Sequence, residues 1–372
     1  MPSIAIFLHQ LAATGVARNA VAIARYLDAQ GWRVAIITVR PGGELAGEIG
    51  SVRHLALGSA GMPRAVELAV TVGRLRRAVQ DLAPDILLSA GNHAHLAVMR
   101  AMRGQDKPRR VYRISNELSR PPGHGSFLRS TGLRKLGLRF VAKDADRVVL
   151  VSPVLSDPAF DRCRRDGRLR VIENGVDVAE VRRRAQEPVA YPWLDGDTPV
   201  VLAVGRLSPQ KNLPRLIQAF AIAHRRRRLR LTIVGGGPTK ARAALERLAG
   251  EEGVAADLHF IDRVSNPFPI MKKAAVLVLP SLWEGLPNVL LEALACGTPV
   301  VASRTAGNAA QILEDGRYGV LVDPRDPAQI AEGILAQVDP ARRIMGTERA
   351  AVFDRARMLE RYKALFEELL PA

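Results

Sequence analysis

Two glutamates, Glu284 and Glu292, lie eight positions apart in the segment SLWEGLPNVLLEALACGTPVVAS, which covers residues 281–303. The apolar run 276–279 before them predicts a strand, so Glu284 is expected in the loop that follows that strand. Pro287 suits the first turn of the next helix, because the N–H that proline lacks would have no partner there. Glu292 is then expected about one and a half turns into this helix.

The start of this predicted helix has the chemistry of an anion-binding site. The backbone N–H groups of Leu286, Asn288 and Val289, on either side of Pro287, lack helical partners and lie at the positive end of the helix dipole. One carboxylate before such a site and a second inside the helix suit a ligand with hydroxyls at both ends and a diphosphate between them. Sugar nucleotides are ligands of this kind. The alternative is an unrelated loop glutamate and a solvated helical one.

Two cations follow another predicted strand, which ends at Gly205. Arg206 and Lys211 are expected in the loop at the carboxyl end of this strand, where they could neutralise a diphosphate leaving group. The Asp-x-Asp strings of the chain, at 144–146 and at 195–197 in the predicted linker, lie away from these loops, so a reaction without a metal ion or other cofactor is predicted. After the next predicted strand, Gly235 and Gly237 let the backbone approach a phosphate or a sugar, because glycine has no Cβ to obstruct it.

Together these segments resemble the retaining glycosyltransferases of family 4, in which two glutamates separated by seven residues lie in the donor site. Residues 204–207 and 210–212 resemble the phosphate-gripping segment of that family, and 234–238 its glycine loop. Residues 172–177 (IENGVD) resemble the end of its first domain. The resemblance is specific from residue 172 onward and looser before it.

The resemblance implies a role for each donor-side residue. Glu284 would face the O3 or O4 hydroxyl of the transferred sugar, with the backbone of 286–288 near the same hydroxyls and the diphosphate. Glu292 would accept hydrogen bonds from the two ribose hydroxyls. Arg263, after the predicted strand 257–261, lies where the family contacts the base. UDP-sugars are the default donors, and GDP-mannose and ADP-glucose remain open.

The resemblance also implies retention at the anomeric carbon, with the leaving phosphate taking the proton of the acceptor. Loops after the predicted strands of the first half supply the candidate acceptor or cleft residues: Thr14, Gly15, Arg18, Asn92, His93, Asn116 and Glu117. Thr14 replaces the first of two glycines common in the family, which predicts a narrower or altered approach for the acceptor.

Strand-length apolar runs alternate with amphipathic segments along the whole chain, which predicts parallel sheets covered on both faces. The predicted strands are 4–8, 33–39, 85–89, 110–114, 147–151, 169–172, 200–204, 230–234, 257–261, 275–279, 299–303 and 319–322. We expect an α/β protein with two Rossmann-like domains facing across a cleft, the glycosyltransferase B fold. The predicted parts are an acceptor domain at 1–178, a linker at 179–198, a donor domain at 199–348, and a C-terminal helix, 349–372, that crosses back to the first domain.

The chain of 372 residues carries a net charge of +17, and the excess is larger at its start. Residues 1–180 hold 27 basic and 16 acidic residues. Within them, the basic and apolar segment 125–147 could lie on an anionic membrane surface, which would suit a lipid-linked acceptor, or be an ordinary helix with a basic face. A nucleic-acid binder is disfavoured, because aromatic residues make up only 5% and no recognition motif is present.

Two cysteines far apart in the sequence, and no apolar run long enough to span a bilayer, lead us to expect a cytoplasmic protein that is peripheral to the membrane at most. The start, MPSIAIFLHQ, lacks the positive region of a signal peptide and predicts a first strand. The partners expected are a nucleotide sugar and a glycan or lipid-linked acceptor, and no nucleic acid. Still open is a protein of the same fold that binds or epimerises a sugar nucleotide without transferring the sugar.

Overall fold

The structure, a computed structural model, describes residues 1–58, 64–92, 94–116, 127–189 and 191–371, without the side chains of 64–66, 68–69 and 127–135. The chain divides into two compact units. The first consists of Met1–Asn174 with Arg357–Ala372, and the second of Gly175–Ala356.

The first unit contains a seven-stranded parallel sheet in the order β3-β2-β1-β4-β5-β6-β7. All six residues of β1 are buried, as expected for a strand covered on both faces. The strands are β1 (Ser3–Leu8), β2 (Arg33–Thr38), β3 (Arg53–Ala56), β4 (Ile86–Ser89), β5 (Arg109–Ile114), β6 (Arg147–Leu150) and β7 (Leu169–Val171). The strand order reverses direction between β1 and β4, so the carboxyl ends of these strands form the topological switch point where such sheets bind ligands.

Helices connect these strands and bury their apolar faces on the sheet. In α1, the buried residues Ala17, Ala20, Ala24 and Leu27 recur at three- and four-residue spacing, which places them on one helix face. The helices of this part are α1 (Gly15–Ala29), α2 (Arg64–Leu82), α3 (His95–Ala101), α4 (Phe127–Asp144) and α5 (Asp161–Arg165).

The second unit contains a six-stranded parallel sheet in the order β10-β9-β8-β11-β12-β13. Its strands are β8 (Val200–Val204), β9 (Arg230–Val234), β10 (Leu258–Ile261), β11 (Val276–Leu279), β12 (Val300–Ser303) and β13 (Val320–Val322). Its helices are α6 (Val178–Arg184), α7 (Leu213–Arg226), α8 (Thr239–Glu251), α9 (Phe268–Lys273), α10 (Asn288–Cys296), α11 (Ala309–Ile312) and α12 (Pro327–Val338). The switch point of this sheet lies between β8 and β11.

The segment 179–198, predicted as a linker, is part of the second unit. It begins inside α6, which is capped by the Asp177 side chain and packs against α9 and α10. Farther along, the Trp193 ring stacks on His259 at 5.2 Å, and the Arg230 guanidinium lies over the same ring at 5.0 Å. Its prolines and glycine shape the turns of this segment, and its apolar and aromatic side chains fix it to the sheet.

The last helix, α13 (Arg355–Glu367), supplies core residues to the first unit. Met358, Tyr362, Leu365 and Phe366 are all buried there. The helix begins later than the predicted residue 349, because Thr347–Phe353 forms a 3-10 helix instead.

Arg113 is almost fully buried in β5, with 1% of its surface exposed. Its guanidinium donates to the Tyr362 hydroxyl at 3.0 Å, to the Asn174 Oδ1 at 2.5 Å and to the Ala90 carbonyl at 3.4 Å. These acceptors in the described part of the chain are uncharged. Because a buried cation must have its hydrogen bonds satisfied, Arg113 depends on these three partners and holds the returning helix α13 to the first unit.

Replacing Tyr362 with phenylalanine removes one acceptor of the buried guanidinium and leaves the ring packing unchanged. We expect Tyr362→Phe to lower the free energy of unfolding by about 1–3 kcal/mol, the cost of leaving a buried donor without its partner. Urea unfolding would measure it, with Tyr318→Phe in the second unit as the control. Equal losses in the two variants would contradict the role assigned to Arg113.

Candidate functional site

The switch point of the second sheet brings together the loops predicted to hold the donor. One loop follows β8 and covers residues 205–212; the other follows β11 and covers 280–287. β8 and β11 are neighbours with Val276 opposite Val201, so their carboxyl ends open at the same edge of the sheet. The connections then run to opposite sides of the sheet, which leaves a crevice between them.

The strongest contact between these loops is an ion pair between two predicted catalytic residues. The Lys211 Nζ lies 2.6 Å from the Glu284 Oε1, and the two side chains are only 16% and 11% exposed. The second carboxylate oxygen, Oε2, accepts a hydrogen bond from the Gln210 Nε2 at 3.0 Å. Both oxygens of Glu284 are therefore held by residues of the other loop.

Local sequence explains how Lys211 reaches this position. Pro209 begins the 3-10 turn Pro209–Lys211, where its fixed φ is compatible with helical geometry. Asn212 then takes a left-handed conformation (φ 52°, ψ 35°), which asparagine adopts more readily than most residues. Its side-chain amide donates to the Pro280 carbonyl at 3.2 Å and to the Pro324 carbonyl at 2.7 Å, which ties the turn to two neighbouring loops.

The predicted glycines allow the backbone segments of this site to pack closely. Gly235 has φ +146°, and a Cβ there would lie 2.0 Å from the Gly205 carbonyl oxygen. A Cβ on Gly205 would lie 2.8 Å from the Lys211 Cε, and one on Gly237 would lie 2.5 Å from the Leu207 Cβ. The glycines thus bring the loops after β8 and β9 into direct contact.

The loop that carries Glu284 is also supported from behind, a feature the sequence analysis missed. Gly307 has φ +59°, and a Cβ there would lie 2.3 Å from the Gly285 carbonyl oxygen. The Thr305 hydroxyl donates to the Leu282 carbonyl at 3.0 Å. The loop after β12 therefore fixes the backbone on both sides of Glu284.

Helix α10 begins one residue later than predicted, so Pro287 is its N-cap residue and not part of its first turn. Its φ of −78° and ψ of 86° show that the helix begins only at Asn288. Leu286 and Pro287 are buried, and Asn288 and Val289 are half-buried. Pro287 itself has no side-chain group that could cap the N–H groups of this first turn.

Glu292 is the fifth residue of α10 and is half-buried, one helical turn from the start. One turn farther along, burial and, second to it, the charge of Glu292 raise the pKa of Cys296 to about 12. The Cys296 thiol is therefore protonated at neutral pH and is a poor nucleophile.

Arg206 and Arg263 are both exposed on loops at the carboxyl ends of their strands. Arg206 follows Gly205 directly, five residues before Lys211. Arg263 follows β10, two positions from the switch point in the strand order. The structure thus brings Gly205, Lys211, Gly235 and Glu284 together at the carboxyl ends of the strands. Arg206 and Arg263 are exposed on loops at the same end of the sheet.

At the switch point of the first unit, Thr14 has a structural role. Threonine is a common N-cap residue, but the sequence analysis considered Thr14 only as a replacement for a glycine. It is the N-cap of α1, and its hydroxyl accepts from the Ala17 N–H at 3.3 Å. Gly15 is the first residue of the helix, and Arg18 is half-buried in its first turn. The Glu44 carboxylate accepts from the Ala13 N–H at 3.1 Å and so holds the same loop.

Asn92 joins the loops after β4 and β5. Its Oδ1 accepts from the Ser115 N–H at 3.0 Å and from the Ser115 hydroxyl at 3.3 Å, and its Nδ2 donates to the Asn116 carbonyl at 3.0 Å. The structure therefore brings Asn92 and Asn116 together, with the Asn92 side chain used to shape the loop. His93 and Glu117, predicted as acceptor or cleft residues, lie outside the described residues.

Two family models match the chain, one for each half. The family described as Glycosyltransferase Family 4 matches residues 13–180, and the family described as Glycosyl transferases group 1 matches residues 198–339. The chain belongs to glycosyltransferase family 4. The resemblance seen in the motifs is thereby confirmed, including its weaker first half.

Relatives of this family 4 chain include a D-inositol 3-phosphate glycosyltransferase of Acidothermus cellulolyticus, 36% identical over 57% of this chain and 50% of that protein. A GDP-mannose-dependent alpha-(1-6)-phosphatidylinositol monomannoside mannosyltransferase of Mycolicibacterium smegmatis is 33% identical over 54% of this chain and 55% of that protein. The match thus spans about half the length of these curated relatives.

Solved structures show that the fold is the glycosyltransferase B fold, as predicted. HepE of Anabaena in complex with UDP-glucose superposes with a TM-score of 0.80, at 19% identity over 99% of this chain and 100% of that one. Sucrose-phosphate synthase of Thermosynechococcus elongatus gives a TM-score of 0.79, at 22% identity over 99% of both chains.

Among the described residues of this family 4 protein, none of the helices has the length and apolar character needed to cross a bilayer.

The capping role of Thr14 can be separated from any effect on ligands. We expect Thr14→Ala to lower the free energy of unfolding by about 1 kcal/mol and Thr14→Gly by only a few tenths, because glycine is tolerated at an N-cap. Urea unfolding of both variants beside Thr14→Ser, which keeps the hydroxyl, would measure this. Loss of the same size in the serine variant as in the alanine variant would argue against the cap.

Proposed function

We propose that the protein is a retaining glycosyltransferase that moves a sugar from a nucleoside diphosphate donor to a hydroxyl of a glycan or lipid-linked acceptor. The observation that carries the proposal is the contact between Lys211 and Glu284, 2.6 Å apart at the switch point of the second sheet. A cation for the leaving diphosphate and a carboxylate for the sugar hydroxyls are thus side by side. Membership of family 4 supports the reaction class.

The bond that breaks joins the sugar C1 to a phosphate oxygen, so negative charge grows on the phosphate in the transition state. The Lys211 ammonium has three N–H donors, and its bond to Glu284 uses one, which leaves two for phosphate oxygens. Arg206 is exposed five residues earlier and adds a second cation. We propose that these two cations and the first turn of α10 stabilise the leaving group without a metal ion.

Transfer with retention needs departure and attack on the same face of the sugar. The C1–O bond to phosphate breaks, the bond from C1 to the acceptor oxygen forms, and the acceptor proton passes to the leaving phosphate. Glu284 then binds sugar hydroxyls and takes no part as a nucleophile. Glu292 binds the ribose, and Gly205, Gly235 and Gly237 let the donor approach the backbone, as the family resemblance implies.

We propose UDP-sugars as the donors. HepE, which shares the fold, was solved with UDP-glucose, whereas one relative is named as GDP-mannose-dependent, so the base is the first property to measure. A thermal-shift titration with UDP, GDP and ADP, each with and without magnesium, tests the donor. A ligand at one hundred times its Kd stabilises a protein by about 2.7 kcal/mol, and we expect this for UDP in either condition. Stabilisation by none of the three nucleotides would contradict the proposed function.

The Glu284→Gln variant tests the role of the carboxylate, by the same nucleotide titration and by an assay of sugar transfer. We expect it to keep nucleotide-dependent stabilisation and to lose transfer of a labelled sugar, because the amide keeps the size of the side chain and loses its charge. Unchanged turnover in this variant would contradict the role of Glu284. A wild-type protein that binds the sugar nucleotide but only epimerises it, or leaves it intact, would support a binding protein or epimerase in place of a transferase.

A surface of the first unit fits a lipid-linked acceptor. Three large apolar side chains are exposed on α3 and α4: Leu96 (41%), Leu136 (46%) and Phe140 (50%). The Leu96 Cδ2 lies 3.6 Å from the Cβ position of Gly137, so the two helices present these side chains on one surface. Exposed cations accompany them on the same helices, at Arg100, Arg139 and Lys143. We propose that this surface binds an anionic membrane, with the enzyme cytoplasmic and peripheral on its inner face.

Vesicle flotation tests the membrane surface. We expect the protein to bind vesicles that contain phosphatidylglycerol, to bind neutral phosphatidylcholine vesicles weakly, and to be released by salt. The double variant Leu136→Ser and Phe140→Ser should reduce binding to anionic vesicles, whereas Val352→Ser, which changes an exposed side chain of the second unit, should not. Equal binding of the double variant and the wild type would contradict this assignment.

A further inference from the structure

Gln210 belongs to the segment 210–212 that resembles the family, but the resemblance assigned no role to its side chain. Only 8% of its surface is exposed, although glutamine is usually a surface residue. It lies in the middle of the 3-10 turn after β8. The proposed roles of Arg206, Lys211 and Glu284 make no use of it.

Three hydrogen bonds join Gln210 to the loop that carries Glu284. Its Nε2 donates to the Glu284 Oε2 at 3.0 Å and to the Trp283 carbonyl at 2.9 Å. The backbone carbonyl of Gln210 accepts a third hydrogen bond, from the Leu282 N–H at 2.9 Å. Both side-chain partners are acceptors, so the amide nitrogen must face them and the orientation of the amide is fixed by its neighbours.

The pair of contacts on Glu284 determines how its carboxylate is oriented. Lys211 holds Oε1 and Gln210 holds Oε2, so rotation of the carboxylate would break one contact or both. A carboxylate offers about four lone-pair positions, and these two contacts use half of them. The remaining positions are oriented before any ligand arrives, and they suit two hydroxyl donors of one sugar.

We propose that Gln210 is a positioning residue that orients Glu284 for the hydroxyls of the transferred sugar and thereby sets the preference for the sugar part of the donor. The inference rests on the proposed function, since it names how the same site recognises its sugar. Gln210 itself touches no reacting atom. An amide is required because it donates without charge: a glutamate at this position would place a second carboxylate beside Glu284.

Isothermal titration of the full chain with a nucleotide and its sugar derivative tests this role. The probes are UDP and UDP-glucose, or GDP and GDP-mannose, or ADP and ADP-glucose, as selected by the nucleotide titration. We expect Gln210→Met to weaken binding of the sugar nucleotide about tenfold, the usual size for a lost hydrogen bond to a charged group, and to leave binding of the plain nucleotide within about twofold. Gln218→Met, in α7 of the same unit, is the matched control, because its amide contacts Arg215 instead.

The Gln210→Glu variant adds a readout that a purely structural role would not change. At low pH one of the two neighbouring carboxyl groups takes up a proton and can donate, which restores the contact. We therefore expect binding of the sugar nucleotide, relative to the plain nucleotide, to fall as the pH rises from about 5 to 8 in this variant and to stay level in the wild type.

The outcomes separate the two hypotheses. Wild-type protein that binds none of the nucleotides overturns the proposed function and the role of Gln210 with it. If the wild type binds but Gln210→Met weakens nucleotide and sugar nucleotide equally, or neither, Gln210 only supports the fold and the positioning role is wrong. A level pH profile for Gln210→Glu would also overturn it.

Discussion

The contact between Lys211 and Glu284 is the interaction on which the candidate site depends. It crosses the switch point of a parallel sheet, where the chain supplies two loops from neighbouring strands that run to opposite sides. Side chains only 16% and 11% exposed must be paired, because a largely buried charge without a partner would be costly. The pairing therefore fixes the two loops to each other, and the chemistry that a donor would meet is assembled before the donor binds.

The rest of the second unit makes this contact possible by bringing backbone close to backbone. Gly235 lies against the carbonyl of Gly205, and Gly307 lies against that of Gly285, at separations that no Cβ would allow. Asn212 adds side-chain hydrogen bonds to the loops after β11 and β13. The five loops after β8, β9, β11, β12 and β13 are thus linked to one another at the carboxyl ends of the strands.

Sequence patterns predicted the sheet well, because buried parallel strands are continuous apolar runs. Twelve of the strands in the described part were predicted within a few residues, and β3 was missed. Arg53–Ala56 is a short edge strand without a buried residue, so it lacks the apolar signal. The Lys211–Glu284 contact was not visible in the sequence either: each residue could be placed on a loop, but distances between loops depend on glycine contacts and on the geometry of strand ends. Gln210 was included in the segment 210–212 but was given no role of its own, because glutamine is usually a surface residue.

The two units use their polar residues differently at their switch points. In the second unit, Gln210 and Lys211 converge on Glu284 and fix the orientation of its carboxylate. In the first unit, the Thr14 hydroxyl and the Asn92 amide are used to cap a helix and to shape a loop. A side chain whose hydrogen bonds are already satisfied within the protein gains little by binding a ligand. Preorganised side chains are therefore the feature of the switch point in the second unit, whereas Thr14 and Asn92 in the first unit serve its own backbone.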